Sequence, residues 1–289
     1  ASNQTKNIGL ILTRSPEYIA SDTFLPQILS GTLDVVKQHS LSLLVEWVEP
    51  GQQLETYLEL TRAHHIDGMI LMTPRTDDTG IKALEDADIP VVVMGYIPQS
   101  TLHSVDVDNL GAAQEAVEHL ISLGHRQIAC ITNAALPYTS AVQRLDGYRQ
   151  ALETAKIPYD PALVREGDFE TQSGYKQMKS LLDSGKKFSA AFVASDALAF
   201  GAYNAIREAG LSVPEDISIV GFDDIPLSSF ISPTLTTVRL PARKIAQDSC
   251  YLLMRLMKRD FPESRMISLP TTLIIRDSTR ELEESRLLL

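Results

Sequence analysis

Apolar positions along this chain follow two alternating periods. Short continuous apolar runs such as Ile8-Gly9-Leu10-Ile11-Leu12 are separated by longer segments with apolar residues three and four apart. That alternation is the pattern of βα units, in which strands buried on both faces are covered by amphipathic helices. The spacing predicts strands over 8–12, 42–48, 69–72 and 91–94, with a short extended piece at 104–108. Helices are predicted over 24–38 and 54–65, with another starting near Ile81. The alternation then restarts with a helix over 109–123, whose inward face carries Leu110, Ala113, Val117, Leu120 and Ile121. Asp108 or Asn109 is placed to cap its first turn, and Gly124 to end it in a left-handed conformation. Strands at 128–131, around Val164, at 190–194 and at 217–221 alternate with helices at 141–155, 173–182 and 197–209. An irregular stretch over 222–236, a helix over 242–257 and a last strand over 272–275 complete the chain.

Two successive runs of βα units, each as long as one doubly wound domain, predict an α/β protein with two parallel-sheet lobes. In open parallel sheets, ligands bind beyond the carboxyl ends of the strands. That rule selects Thr13-Arg14, Thr73 to Asp78, the segment leading to Tyr138, Ser140 and Arg144, then Ser195-Asp196, and Asp223-Asp224. Phe169 lies in the loop just past the Val164 strand. A cleft between two such faces would combine bidentate hydrogen bonds with an aromatic wall, which suits a polyhydroxylated ring. Each residue also has a plainer reading. Asp223-Asp224 can cap a turn, Arg144 can be a surface residue of a helix, and Phe169 can pack under its loop. Thr76 and Asp78 can cap the helix near Ile81. Arg75 is either a clamp facing the cleft or a solvated loop residue. His64-His65 are adjacent, so they diverge on a helix and lack a third ligand; no metal site is expected.

Composition narrows the function. The 289 residues carry 26 Lys+Arg against 37 Asp+Glu, a net charge of −11, and no extended basic run. Nucleic-acid affinity needs cations to neutralise phosphates, so this chain alone is a poor DNA binder. The two cysteines, Cys130 and Cys250, fall in apolar patterns and fit a reducing cytoplasm better than a disulfide framework. No secretory signal and no membrane-spanning run are evident. A glycine-rich phosphate loop, a zinc-binding HExxH helix and a nucleophile elbow are all missing, which argues against an enzyme and implies no cofactor.

Several stretches occur in a characteristic order. They are Leu123-Gly-His-Arg-Gln-Ile-Ala129, Gln143-Arg-Leu-Asp-Gly-Tyr148, Glu166-Gly-Asp-Phe169, Val213 to Asp224, Ser232-Pro-Thr-Leu-Thr-Thr-Val238 and Leu273 to Thr279. Together they resemble the effector-binding core of the lactose-repressor (LacI/GalR) family, over about residues 6–280. The resemblance implies a fold like that of type I periplasmic sugar-binding proteins, with three crossovers near 108–109, 240–241 and 269–270. The N-terminal lobe would comprise 6–108 plus 241–269, and the C-terminal lobe 109–240 plus 270–289. It implies a homodimer that reaches operator DNA through a headpiece not contained in this sequence, and a mono- or disaccharide effector controlling DNA affinity. Carried over residue by residue, it implies ligand contacts at Arg144, Asp223, Phe169, Ser195, Tyr138 and Ser140. In the first lobe it implies Phe24 and Thr73, with Asp108 at a crossover. Asp196 matches a residue that more often braces its loop. The competing readings are a periplasmic sugar receptor of a transporter and, more remotely, an enzyme using Asp223, Asp224 and Arg144.

Overall fold

A computed structural model describes residues 5–13, 22–49, 51–62, 65–87 and 89–282. Arg14 and His64 lie outside them. The first run of units comprises β1 (Asn7–Leu12), α1 (Leu25–Gln38), β2 (Ser42–Trp47), α2 (Gln53–Arg62), β3 (Gly68–Met72), α3 (Ile81–Asp86), β4 (Val91–Met94) and β5 (His103–Val107). The second comprises α4 (Asn109–Ser122), β6 (Ile128–Ile131), α5 (Thr139–Thr154), β7 (Val164–Arg165), α6 (Thr171–Asp183), β8 (Ala190–Val193), α7 (Asp196–Glu208), β9 (Ser218–Asp223) and β10 (Thr236–Arg239). The chain ends with α8 (Ala242–Met257), β11 (Met266–Leu269) and β12 (Thr272–Ile274).

Two six-stranded sheets result, in the orders β11-β5-β4-β3-β1-β2 and β12-β10-β9-β8-β6-β7. The first five strands of each run repeat one doubly wound order, in which the second strand lies outside the first and the third to fifth lie on its other side. All pairings are parallel except β10 with β12. The chain passes between sheets at β5–α4, at β10–α8 and at β11–β12, so α8 and β11 return to the first lobe. Strand β11 (Met266–Leu269), beside β5, was not expected from the pattern, because two of its four residues are exposed.

The strands form where the sequence gives continuous apolar runs: β3, β4, β6 and β8 are buried along their whole length. Helices pack on them through small residues. At Gly31 an added Cβ would lie 2.4 Å from the Arg243 carbonyl oxygen, which is how closely α1 meets α8. Asp108 caps α4 by accepting from the Gly111 N–H at 2.9 Å, and Gly124 closes the turn after α4 at φ +92°. The 222–236 stretch contains a short 3₁₀ turn, Pro226–Ser229, followed by β10.

Candidate effector-binding cleft

The carboxyl ends of the two sheets face a shared cavity with about 880 Å³ of non-atom space, part of it continuous with solvent. Seven of the predicted residues line it: Phe24 and Thr73 from the first lobe, and Ser140, Arg144, Phe169, Ser195 and Asp223 from the second. Each owes its place to an element end. Phe24 stands at the start of α1, where the Asp22 carboxylate accepts the N–H groups of Phe24 and Leu25, both at 2.8 Å. Thr73 follows β3, Ser195 precedes α7, and Asp223 ends β9.

Arg144 is the electrostatic centre. It projects from α5 and is 6% exposed. Its Nε donates to Asn109 Oδ1 at 3.0 Å and its Nη1 to the Ala194 carbonyl at 2.6 Å. The guanidinium carbon lies 3.8 Å from the Phe222 ring centroid, and Nη1 is 3.7 Å from Asp223 Oδ1. Burial pushes the guanidinium pKa down, against the pull of Asp223, Asp106 and Asp196. Arginine remains charged under this penalty because its reference value is so high. Burial also raises the Asp223 carboxyl; Arg144 and the Ser195 hydroxyl oppose that rise, and Asp22, from the other lobe, adds to it.

Four predicted contacts are not brought to the cavity wall. Asp108 is spent as the cap of α4. Two residues earlier, Asp106 takes its place; it is buried on β5 and accepts from the Val107 N–H and Asn109 Nδ2. Asp196 is fully buried and accepts from Ile225 N–H, Ser228 Oγ and Thr237 Oγ1, so it holds β10 and the 3₁₀ turn to α7. Arg75 places its fork on Asp77 at 2.8 and 2.7 Å, with its guanidinium 4.7 Å from the Tyr138 ring centroid. Tyr138 turns its hydroxyl to the Thr13 carbonyl.

Sequence reasoning missed Asp22, Asp106, Asn109 and Asn133 among the lining residues. Asn133 sits two residues past β6 and donates to Ser140 Oγ at 3.1 Å; its buried Oδ1 finds no partner among the described residues. A ligand N–H or O–H would satisfy it, since an unpaired buried acceptor is costly. Three non-glycine residues on the wall adopt positive φ: Thr73 at 56°, Phe169 at 56° and Asp223 at 118°. Among the described residues, no group of three or more His, Cys, Asp or Glu could hold a metal ion, and no helix is long and apolar enough to cross a membrane.

Residues 117–279 match the profile of the periplasmic binding protein-like domain. The transcriptional repressor CytR of Escherichia coli K12 is 36% identical over 266 residues, which are 90% of this chain and 77% of that protein. The transcriptional regulator CelR of Thermobifida fusca is 30% identical over 280 residues, 96% of this chain and 82% of that one. Among solved structures, the CelR–cellobiose complex gives a TM-score of 0.88 at 30% identity, covering 95% of this chain and 85% of that chain. The lac repressor dimer bound to operator and an anti-inducer gives 0.84 at 31% identity, covering 96% of each. Fold, cleft and relatives define the ligand-binding core of a transcriptional regulator, and they favour it over a transporter's receptor. The chain belongs to the LacI family of transcriptional regulators.

Proposed function

We propose that the cleft senses a neutral mono- or disaccharide and that its occupancy controls operator binding by a homodimer. The DNA contact would be made through a headpiece outside this sequence. The observation that carries this reading is the buried trio of Arg144, Asp223 and Asn133 beside the Phe169 ring. It supplies a guanidinium donor, a carboxylate acceptor and an unpaired amide oxygen on one cavity wall. Hydroxyl groups are donors and acceptors at once, and a sugar's C–H face packs on an aromatic ring. The cellobiose bound by CelR supports this ligand class. In this reading Phe24, Thr73, Ser140 and Ser195 contact the effector, and the N-terminal lobe moves as one body against the C-terminal lobe. The protein works in the cytoplasm and retains its ligand unchanged rather than turning it over.

A melting-temperature screen with cellobiose, other mono- and disaccharides and a set of nucleosides tests it. A sugar at 100 times its Kd stabilises by about 2.7 kcal/mol. Arg144→Lys keeps the charge but loses the planar fork, and it should weaken the responding sugar at least tenfold. Stabilisation by nucleosides and by no sugar overturns the ligand class; an unchanged affinity in Arg144→Lys overturns the site.

A further inference from the structure

The two lobes touch directly at a place where the chain does not cross between them. Pro74-Arg75-Thr76, just past β3, runs antiparallel to Pro137-Tyr138-Thr139, which leads into α5, with Arg75 and Tyr138 paired. The Thr76 N–H donates to the Pro137 carbonyl at 2.7 Å, and the Thr139 N–H to the Pro74 carbonyl at 3.2 Å. The segments match chemically, since both read Pro-X-Thr. In this register each proline supplies the carbonyl that the opposite threonine needs, and proline has no N–H to leave unpaired. The central side chains add to the contact. The Tyr138 hydroxyl reaches across to the Thr13 carbonyl at 3.1 Å, and Arg75, held flat by Asp77, covers the Tyr138 ring. Phe169 stands nearly perpendicular to that ring, at a centroid distance of 4.9 Å and an interplanar angle of 86°.

We infer that these paired Pro-X-Thr segments are an interlobe latch that holds the cleft closed, with Tyr138 as the residue that couples closure to the position of the Phe169 wall. Arg75 and Tyr138 therefore act on ligand affinity as positioning residues, without touching ligand. A backbone bridge suits this task because it forms only at one relative placement of the lobes, and hydrogen bonds weaken steeply with misalignment. Opposing it is the like charge of Asp22 and Asp223, which line the cavity from opposite lobes and repel each other. The inference rests on the effector reading for its purpose, but the latch itself can be measured without any ligand.

The test is single-molecule energy transfer on the full chain, with dyes on Glu59→Cys in α2 and Lys176→Cys in α6, both exposed. Cys130 and Cys250 are buried, and burial pushes the Cys250 thiol up to about 12, so neither takes the label. Tyr138→Phe removes one hydrogen bond and keeps the ring; it should shift the closed-to-open ratio about fivefold toward open. Thr139→Pro removes a latch N–H at the first position of α5, where proline is well accepted, and Tyr138 before it already has the extended conformation (φ −75°, ψ 125°) that precedes proline. It should abolish the closed population. A folded Thr139→Pro protein, or a folded Tyr138→Phe protein if the first fails to fold, with the parent's distance distribution overturns the latch. Cellobiose dissociation should accelerate in both variants. If no sugar binds, the effector reading fails while the ligand-free distances still decide the latch.

Discussion

Asp106 offers the sharpest quantitative test of the cleft's electrostatics. It sits at 8% exposure on β5, and burial raises its carboxyl pKa from 3.8 to about 6, against the Val107 N–H, Arg144 and Asn109. Because the folded value lies above the unfolded one, the folded chain keeps this proton where the unfolded chain releases it. The resulting stability is fully present below pH 4 and is lost as pH rises through 6. A shift of about two units at roughly 1.4 kcal/mol each makes the neutral-pH cost of this carboxylate about 3 kcal/mol. Asp106→Asn removes that cost and keeps Oδ1 as acceptor for the Val107 N–H (2.8 Å) and Asn109 Nδ2 (3.1 Å), giving up only the longer contact of Asn109 Nδ2 to Oδ2 at 3.3 Å. The variant should therefore melt higher than the parent at pH 8, by roughly 6 °C at about 2 °C per kcal/mol. At pH 4 the two should converge. Calorimetry over pH 4–8 reads both quantities. Equal or lower melting of Asp106→Asn at pH 8, with the parent's slope retained, refutes the argument that burial penalises this charge.

Three further outcomes follow from the packing. Gly201→Ala places a Cβ 1.9 Å from the Thr171 carbonyl oxygen and 2.5 Å from the Tyr175 nitrogen, so α6 and α7 must separate; thermal unfolding should show a loss of about 3 kcal/mol. Asp196→Ala leaves the Ile225 N–H and the Ser228 and Thr237 hydroxyls buried without their acceptor, and denaturant unfolding should show at least about 3 kcal/mol lost. Phe230 is 81% exposed beside Leu227 at 49%, an apolar surface suited to a second copy of the chain; Phe230→Asp should weaken self-association at least tenfold in sedimentation, and an undiminished dimer would exclude this face.

The fold was legible where burial makes the sequence monotonous. Strands such as β3 and β8 are covered on both faces, so they read as unbroken apolar runs, and the helices between them carry one apolar stripe each. Legibility failed at the sheet edge: β11 has exposed Met266 and Ser268, and its pairing with β5 is a contact over 160 residues that no local pattern carries. The cleft shows the same division. Rules about strand exits located Thr73, Ser195 and Asp223, because topology alone fixes where those ends point. The pattern could not separate Asp106 from Asp108, since capping of α4 claims one of them and leaves the other to the cavity. Nor could it reveal that Arg75 is claimed by Asp77 and Tyr138, the latter 63 positions away in sequence.

Unfavourable terms collect at the cavity, and their placement bears on how the domain switches. Thr73, Phe169 and Asp223 adopt left-handed backbone on its wall, a conformation that costs of order 1 kcal/mol for residues with a Cβ. Asp22 and Asp223 approach from opposite lobes with like charge, and the Asn133 oxygen is buried unpaired. A ligand that donates to Asp223 and Asn133 relieves two of these terms; both groups belong to the second lobe, so the part of the relief that depends on closure is the Asp22–Asp223 repulsion, which acts only while the lobes are together. The ligand's affinity for the closed arrangement then exceeds that for the open one, and this difference is all that can move the equilibrium. The unsatisfied groups and the direct lobe-to-lobe bridge at Arg75 and Tyr138 therefore act on the same balance with opposite sign.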